Sequence, residues 1–145
     1  MYVIVMDKNK NLIATQKQVL YQGENLIDKI VFRLPATYND LDISEFNVEM
    51  IYIIPGNVQM KENLRLSDSL CKDTHLAYCV QIDSNLTSFA GDIDLVLRLT
   101  KTDTLAMKKY IMYTNKIKIK INPTNSSFRM VQCDCENNEF EVVEF

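Results

Sequence analysis

The chain has 145 residues, 47% hydrophobic and 24% charged, and its 16 Lys and Arg against 19 Asp and Glu give a net charge of −3. This size fits one soluble globular domain with a buried core. The mild acidity argues against nucleic-acid binding, which needs a basic surface, and no apolar run approaches the ~20 residues of a membrane span.

The N-terminal stretch MYVIVM predicts a first β-strand. No basic residue precedes its short apolar run, so it does not have the pattern of a secretion signal. Without a secretory route, we expect reduced thiols at Cys71, Cys79, Cys133 and Cys135. Cys133 and Cys135 with the single His75 are a poorer ligand set than zinc sites use, so we expect structural thiols and no metal.

Period-two alternation dominates the rest of the chain and predicts strands with one buried face, as in antiparallel sheets. The predicted inward sets are Ile30, Phe32 and Leu34; Tyr78, Val80 and Ile82; Ile93, Leu95, Leu97 and Leu99; and Ile117, Ile119 and Ile121. Residues 50–54 are apolar at both odd and even positions, which predicts a central strand covered on both sides. Turn signals separate these runs at a spacing typical of a sandwich or barrel. Residues 83–90 favour a single helical turn, capped by Asp83 or Ser84.

The stretch NPTNSS, residues 122–127, is the one boundary that the sequence indicates. We therefore predict a β-sandwich domain over residues 1–121 and a C-terminal extension over residues 122–145. The extension is acidic after Arg129, and its EFEVVEF end alternates like a strand. Two interpretations stay open: an added edge strand beside the Lys-rich stretch 116–120, or the start of a segment that leads elsewhere.

Side chains suited to catalysis or cofactor binding are scarce. His75 is the only histidine and lies in a polar turn, where a general acid–base role is not favoured. Gly23, Gly56 and Gly91 stand in separate turns, so no phosphate-binding glycine loop is predicted. Residues 7–11 resemble the opening of a calcium loop but lack its glycine and its final glutamate. We therefore expect no catalytic residue, no metal and no cofactor.

Two charged sets lie on the outward faces of predicted strands. Asp92 and Asp94 are two residues apart, and such a carboxylate pair would serve glycoside hydrolysis only in a concave pocket. Lys116, Lys118 and Lys120 form a stripe that would fit a phosphate or a nucleic-acid backbone. No aromatic residues alternate with this stripe, and lysines on an edge strand commonly prevent edge-to-edge pairing. A hydrolase is therefore the least favoured function.

The order of several short motifs resembles a known family. YQGE (21–24) precedes an alternating strand, and LDISEFNVEMIYIIPGN (41–57) leads into a strand that ends at a Pro-Gly turn. AGD (90–92) opens a late strand, and KKYIMYTNKIKIKI (108–121) follows it. In this order they resemble the N-terminal domain of the baseplate upper protein family of tailed phages that infect Gram-positive bacteria, over residues 1–121.

The resemblance implies an all-β, immunoglobulin-like antiparallel β-sandwich, with a short C-terminal extension, that anchors a receptor-binding or fibre assembly to the virion. It implies that residues 21–24 form the turn before an early strand, with Glu24 where the family commonly has Asp. Residues 90–92 would open a late strand. Family members typically continue into a distal domain, whereas this chain stops at Phe145, so we expect a truncated chain or a stand-alone adaptor.

The first hypothesis is a non-enzymatic virion protein, made in the bacterial cytoplasm, that docks onto baseplate, tail or head components. Several symmetric copies would suit it, because repeated weak contacts gain strength through effective concentration; we therefore expect a homo-oligomer, with neither nucleic acid nor membrane as a partner. Its candidate interaction or turn-forming residues are Tyr21, Gln22, Gly23, Glu24, Gly91, Asp92, Lys116, Lys118 and Lys120.

The alternative hypothesis is a glycan-binding sandwich that recognises host cell-wall polysaccharide. Its candidate side chains are exposed aromatics beside polar groups, namely Tyr38 with Asn39 and Asp40, and Tyr110 or Tyr113. The absence of tryptophan weakens this hypothesis, since tryptophan offers the largest aromatic surface for a sugar.

Overall fold

The computed structural model describes residues 1–68, 71 and 74–124. Its strands are β1 (Tyr2–Met6), β2 (Leu12–Gln16), β3 (Lys29–Pro35), β4 (Thr37–Tyr38), β5 (Leu41–Asp42), β6 (Asn47–Ile54), β7 (Val58–Asn63), β8 (Arg65–Leu66), β9 (His75–Gln81), β10 (Gly91–Asp103), β11 (Lys108–Tyr113) and β12 (Ile117–Ile121). A 3-10 helix, Ile43–Glu45, lies between β5 and β6. The described residues contain no helix that is long and apolar enough to cross a membrane.

Two sheets form the sandwich. Sheet 1 has the order β2-β1-β3-β9-β8, and sheet 2 has the order β11-β10-β6-β7, with β12 also paired to β10. All pairs are antiparallel except β1 with β3. That pair is parallel because β2 returns the chain to the end where β1 starts, and β3 leaves from the same end. The all-β, predominantly antiparallel sandwich is as predicted; its immunoglobulin-like class stays a prediction.

The core lies between the two sheets and is built by the alternation that the sequence shows. Ile30, Phe32 and Leu34 are fully buried on β3, and Leu97 is fully buried in the middle of β10. The alternate residues of β9 and β12 join the same apolar cluster. Burying each large aliphatic or aromatic side chain contributes about 1.5–3 kcal/mol, so the facing strand sets hold the sheets together.

Residues 50–54 form a central strand, as predicted, but the prediction that both faces of this strand are covered is wrong. β6 lies between β10 and β7, so it is central in sheet 2. Its outward residues are not covered, because Ile53 is 42% exposed and Ile51 is half-buried beside its cross-strand neighbour Val96. Among the described residues, no third layer packs on this face of sheet 2.

The last two strands do not pair with each other. β11 pairs with residues 98–103 of β10, and β12 pairs with residues 91–95, so both lie along the same edge of that long strand. Thr114 bridges the step between them. Its buried hydroxyl accepts a hydrogen bond from the Leu97 amide at 2.9 Å, and its own amide donates to the Leu97 carbonyl at 3.0 Å.

Three further predictions have mixed outcomes. Residues 83–90 form turns in which Asp83, not Ser84, caps the Asn85 and Leu86 amides at 3.0 and 3.2 Å, and no helix develops. Cys71 and Cys79 are free thiols, as expected. The pair at 133 and 135 and the strand-like stretch 139–145 lie outside the described residues, so the boundary at 121 and the role of the extension stay predictions.

Candidate interaction site

The two turns singled out by the motifs meet at one end of the sandwich. The Gln22 amide donates to the Asn122 carbonyl at 2.8 Å, next to the last residue of β12. The Gly23 amide donates to the Thr87 carbonyl at 3.0 Å, and the Gln22 side chain donates to the Ser88 carbonyl at 3.2 Å. We call this region the exit end and define it as residues 17–28, 82–92 and 122–124.

The first turn is stabilised by its own side chains. Gly23 has a φ of +91°, in the left-handed region that glycine tolerates. The Glu24 carboxylate accepts a hydrogen bond from the Tyr21 amide at 2.8 Å, so glutamate serves as the acidic cap of this turn. Thr87 is fully buried and its hydroxyl donates to the Glu24 carbonyl at 2.7 Å. This contact ties the turn to the loop before β10.

The second turn depends on Gly91, the first residue of β10. Its φ is +126°, and no heavy atom lies within 4 Å of the position that a Cβ would take. The glycine is therefore required for its backbone angle and not for space. Asp92 follows it, faces Lys120 across the strand pair, and is exposed. Gly91 therefore opens β10 through a turn, and an interaction role for Gly91 and Asp92 stays a prediction.

Large apolar side chains are exposed around these two hydrogen-bonded turns, which together we call the joint. Their exposed fractions are 60% for Val19, 48% for Tyr21, 56% for Leu26, 75% for Ile27 and 48% for Phe89. Leu26 has a φ of +63°, and its amide donates to the Ile82 carbonyl at 2.8 Å. Sequence reasoning did not identify this surface. The available signal was an apolar pair at 26–27 inside a polar turn, out of phase with the following strand.

The lysine stripe is exposed and partly paired. Lys118 lies 2.8 Å and Lys116 3.5 Å from the Asp94 carboxylate. The hydrogen bond from Lys118 lowers the pKa of Asp94, and the same bond raises the pKa of Lys118. Asp94 is therefore held ionised, which does not suit the general acid of a hydrolase.

Lysines also border the exit end. A depression of about 290 Å³ beside β12 is lined by Lys17, Lys118, Lys120 and Asp92, together with Val19 and Asn122 among others. Three of the nine predicted interaction candidates, Asp92, Lys118 and Lys120, are thus adjacent to the turn at residues 21–24, which contains four more. Gly91 lies on the same end, whereas Lys116 is at the far end of the stripe.

The aromatic candidates for glycan binding also come together, although their positions in the sequence are far apart. Tyr38, Asn39 and Tyr110 line one cleft of about 380 Å³ with Lys10. The Lys10 ammonium lies 5.8 Å from the centre of the Tyr38 ring. Asp40 is not part of the cleft wall, and Tyr113 lies on the outward face of sheet 2, so neither contributes to this site.

A third depression, of about 590 Å³, opens between β7 and β9 and was not anticipated from the sequence. Glu62 and Asp83 lie in its wall with Lys29 and Arg65. Burial raises the pKa of Glu62, and the nearby Asp83 carboxylate adds to this effect. Burial also raises the pKa of Tyr52, to about 12.

The other side chains considered for catalysis or metal binding are His75 and the acidic and cysteine residues. His75 is the first residue of β9, and its ring nitrogen Nδ1 lies 3.3 Å from the Thr74 hydroxyl. Across residues 1–68, 71 and 74–124, no three His, Cys, Asp or Glu side chains come together in a way that would hold a metal ion.

No protein-family model and no curated protein matches the chain. Among solved structures, the N-terminal domain of phage TP901-1 ORF48 is similar, with a TM-score of 0.48 and 10% sequence identity. The match covers 83% of this chain and 95% of that one. At this identity and TM-score, the similarity assigns neither a family nor a function to the chain.

Proposed function

We propose that this chain is a non-enzymatic structural protein of a phage virion, a β-sandwich adaptor that anchors a baseplate, fibre or receptor-binding assembly. The observation that carries the proposal is the joint at the exit end. Residues 21–24 and 90–92, which carry the family resemblance, lie around the end of β12 and are joined through the loop that contains Thr87. An adaptor that transmits position between assemblies needs an end of its sandwich that is held by such hydrogen bonds.

The surface around this joint has the composition of a docking site. Val19, Tyr21, Leu26, Ile27 and Phe89 expose about half or more of their side chains. Clustered exposed apolar side chains commonly mark protein-interaction surfaces. Lysines border the same end, and protein interfaces typically combine an apolar centre with a polar rim. The partner that fits is a protein surface with an apolar centre and an acidic border.

The experiment is capture of purified tail or baseplate proteins by the full-length chain, comparing wild type with Ile27→Asp. Ile27 is 75% exposed, so the change should not disturb folding, and a buried carboxylate at the interface should reduce capture by about tenfold or more. Ile13→Asp is the matched control, because Ile13 is 50% exposed on β2, outside both the exit end and the β11 edge. Undiminished capture by Ile27→Asp, or no capture by wild type, would contradict the proposal.

A second candidate function is favoured by one specific observation, the shared cleft of Tyr38, Asn39 and Tyr110. Two aromatic rings can stack on the apolar faces of sugar rings, and the amide and the lysine can bind hydroxyl and acidic groups. Such a surface suits an acidic cell-wall polysaccharide. If the chain binds such a glycan, Tyr38→Ala and Tyr110→Ala should each abolish NMR shift changes on addition of the polysaccharide. Tyr113→Ala is the control, because Tyr113 is 52% exposed on the other face of β11.

A further inference from the structure

Among the described residues, β11 lies at an open edge of sheet 2. It pairs with β10 in a regular register from Arg98 opposite Tyr113 to Asp103 opposite Lys108. In the described part of the chain, no strand pairs with the other side of β11. Edge strands are usually protected by irregular register, short length or charge. β2 has an irregular register with β1, β8 has two residues, and β12 carries the lysine stripe, whereas residues 110–113 of β11 read Tyr-Ile-Met-Tyr.

The hydrogen-bond pattern shows which backbone groups face outward at this edge. The Thr114 amide donates to the Leu97 carbonyl at 3.0 Å, so these two residues form a hydrogen-bonded pair. Such pairs alternate along an antiparallel ladder. Tyr110 and Met112 therefore direct their amides and carbonyls toward β10. Lys109, Ile111 and Tyr113 direct theirs away from the sheet.

We infer that β11 pairs antiparallel with β11 of a second copy of this chain, with the two-fold axis at Ile111. In this register Ile111 faces the partner's Ile111, and Lys109 faces the partner's Tyr113. All three outward residues of each copy then form hydrogen-bonded pairs. This gives about six backbone hydrogen bonds, two for each pair, and joins the two copies of sheet 2 into one continuous sheet.

The side chains are complementary in this register. On the outward face, Ile111 packs against its symmetry copy, and the Lys109 ammonium lies near the partner's Tyr113 ring, a favourable cation–π arrangement. No lysine faces a lysine, so like charges stay apart. On the inward face, Tyr110 lies opposite the partner's Met112. In each copy, Tyr110 and Met112 line the cleft of about 380 Å³.

The exposed apolar surface is sufficient for a weak dimer. Ile111 and Tyr113 are 50% and 52% exposed, and Leu105 and Met107 at the adjoining hairpin tip are 98% and 90% exposed. Together these four side chains present on the order of 500 Å² for burial, against about 800 Å² per partner in a stable interface of standard size. The strand backbone and the cleft supply further area. This self-pairing depends only on the strand edge and is independent of the virion role.

The test is the mass of the full-length chain by light scattering and sedimentation over micromolar concentrations. Wild type should approach twice the monomer mass. Ile111→Lys places two ammonium groups on the two-fold axis and should raise the dissociation constant by about tenfold or more. Ile13→Lys is the matched control: Ile13 is also 50% exposed on an edge strand, β2, and this variant should remain dimeric.

A mixing experiment distinguishes the loss of pairing at this two-fold axis from a general loss of folding in the variants. Ile111→Lys and Ile111→Glu should each be monomeric, and equal amounts of the two should form a heterodimer because lysine then faces glutamate. A monomeric wild type would overturn the inference. So would a dimer that Ile111→Lys does not weaken, a dimer that Ile13→Lys weakens as much as Ile111→Lys does, or two monomeric variants that fail to combine.

Discussion

Gly91 and Thr87 hold the exit end by different means. Gly91 supplies a backbone angle, φ +126°, that side chains with a Cβ rarely adopt. Thr87 supplies a buried hydroxyl that donates to the Glu24 carbonyl, while its own carbonyl accepts from Gly23. Both position the turns on which the exposed apolar side chains stand.

Gly91→Ala should destabilise the sandwich by about 1–3 kcal/mol, the cost of holding a residue with a Cβ in a sparsely populated backbone region. The space for a Cβ is free, so the loss is conformational and not steric. Urea unfolding followed by circular dichroism measures the change. Ala90→Ser at the preceding, half-buried position should stay within about 0.5 kcal/mol of wild type. Equal stability of Gly91→Ala and wild type would show that the joint does not depend on this angle.

Glu62 makes the stability depend on pH. Burial raises its pKa above the ordinary value of 4.5, so the folded state binds the proton more tightly than the unfolded chain does. The protonated carboxyl therefore contributes stability at low pH, and this contribution is lost as pH rises from 4.5 through the raised folded pKa.

Glu62→Gln should therefore be more stable than wild type at pH 7, because it removes a partly buried charge near Asp83. Since Glu62 is only half-buried, screening by solvent keeps the gain below about 1 kcal/mol. Below pH 4.5 the two proteins should unfold alike. Thermal unfolding at several pH values measures the difference. A variant that is less stable than wild type at pH 7 would contradict the assignment.

At the scale of elements, β10 organises sheet 2. Its 13 residues pair with β6 on one side and with β11 and β12 in succession on the other. The step between β11 and β12 would leave a gap in the ladder. Thr114 closes it, since its hydroxyl takes the place of a backbone carbonyl as acceptor for the Leu97 amide.

Thr114→Val should cost about 1–3 kcal/mol, because valine keeps the shape of threonine and leaves the buried Leu97 amide without its acceptor. Thr114→Ser keeps the oxygen and should cost less. Chemical unfolding compares the three proteins, and hydrogen exchange at the Leu97 amide locates the effect. If valine proved as stable as serine, the hydroxyl would have no role at the step.

The sequence predicted the strands better than it predicted their contacts. Alternation at Ile30–Leu34 in β3 and at 93–99 in β10 identified the core correctly, since burial of one face leaves a period of two. The run at 50–54 predicted a covered strand, yet Ile53 is exposed, because apolar residues on both faces fit an interface as well as a core. The joint of Gln22 with Asn122 and the cleft of Tyr38 with Tyr110 depend on topology, which local patterns do not encode.

At the scale of the whole molecule, the exit end and the β11 edge lie apart. The exit end lies where β3 and β10 begin and β12 ends, whereas the β10–β11 hairpin projects at the opposite end of β10. Docking through Val19, Ile27 and Phe89 therefore leaves the β11 edge free for a second copy. A virion adaptor that pairs with itself would present two exit ends, and two linked sites bind a repetitive assembly more tightly than one.

The most direct test of the virion role is quantitative mass spectrometry of purified phage particles from cells that produce this chain, with immunogold labelling of the same particles. The proposed function predicts that the chain is present at a fixed ratio to known structural proteins, and that the label lies at the baseplate or fibre region. A chain that remains in the lysate and is absent from purified particles would contradict the account.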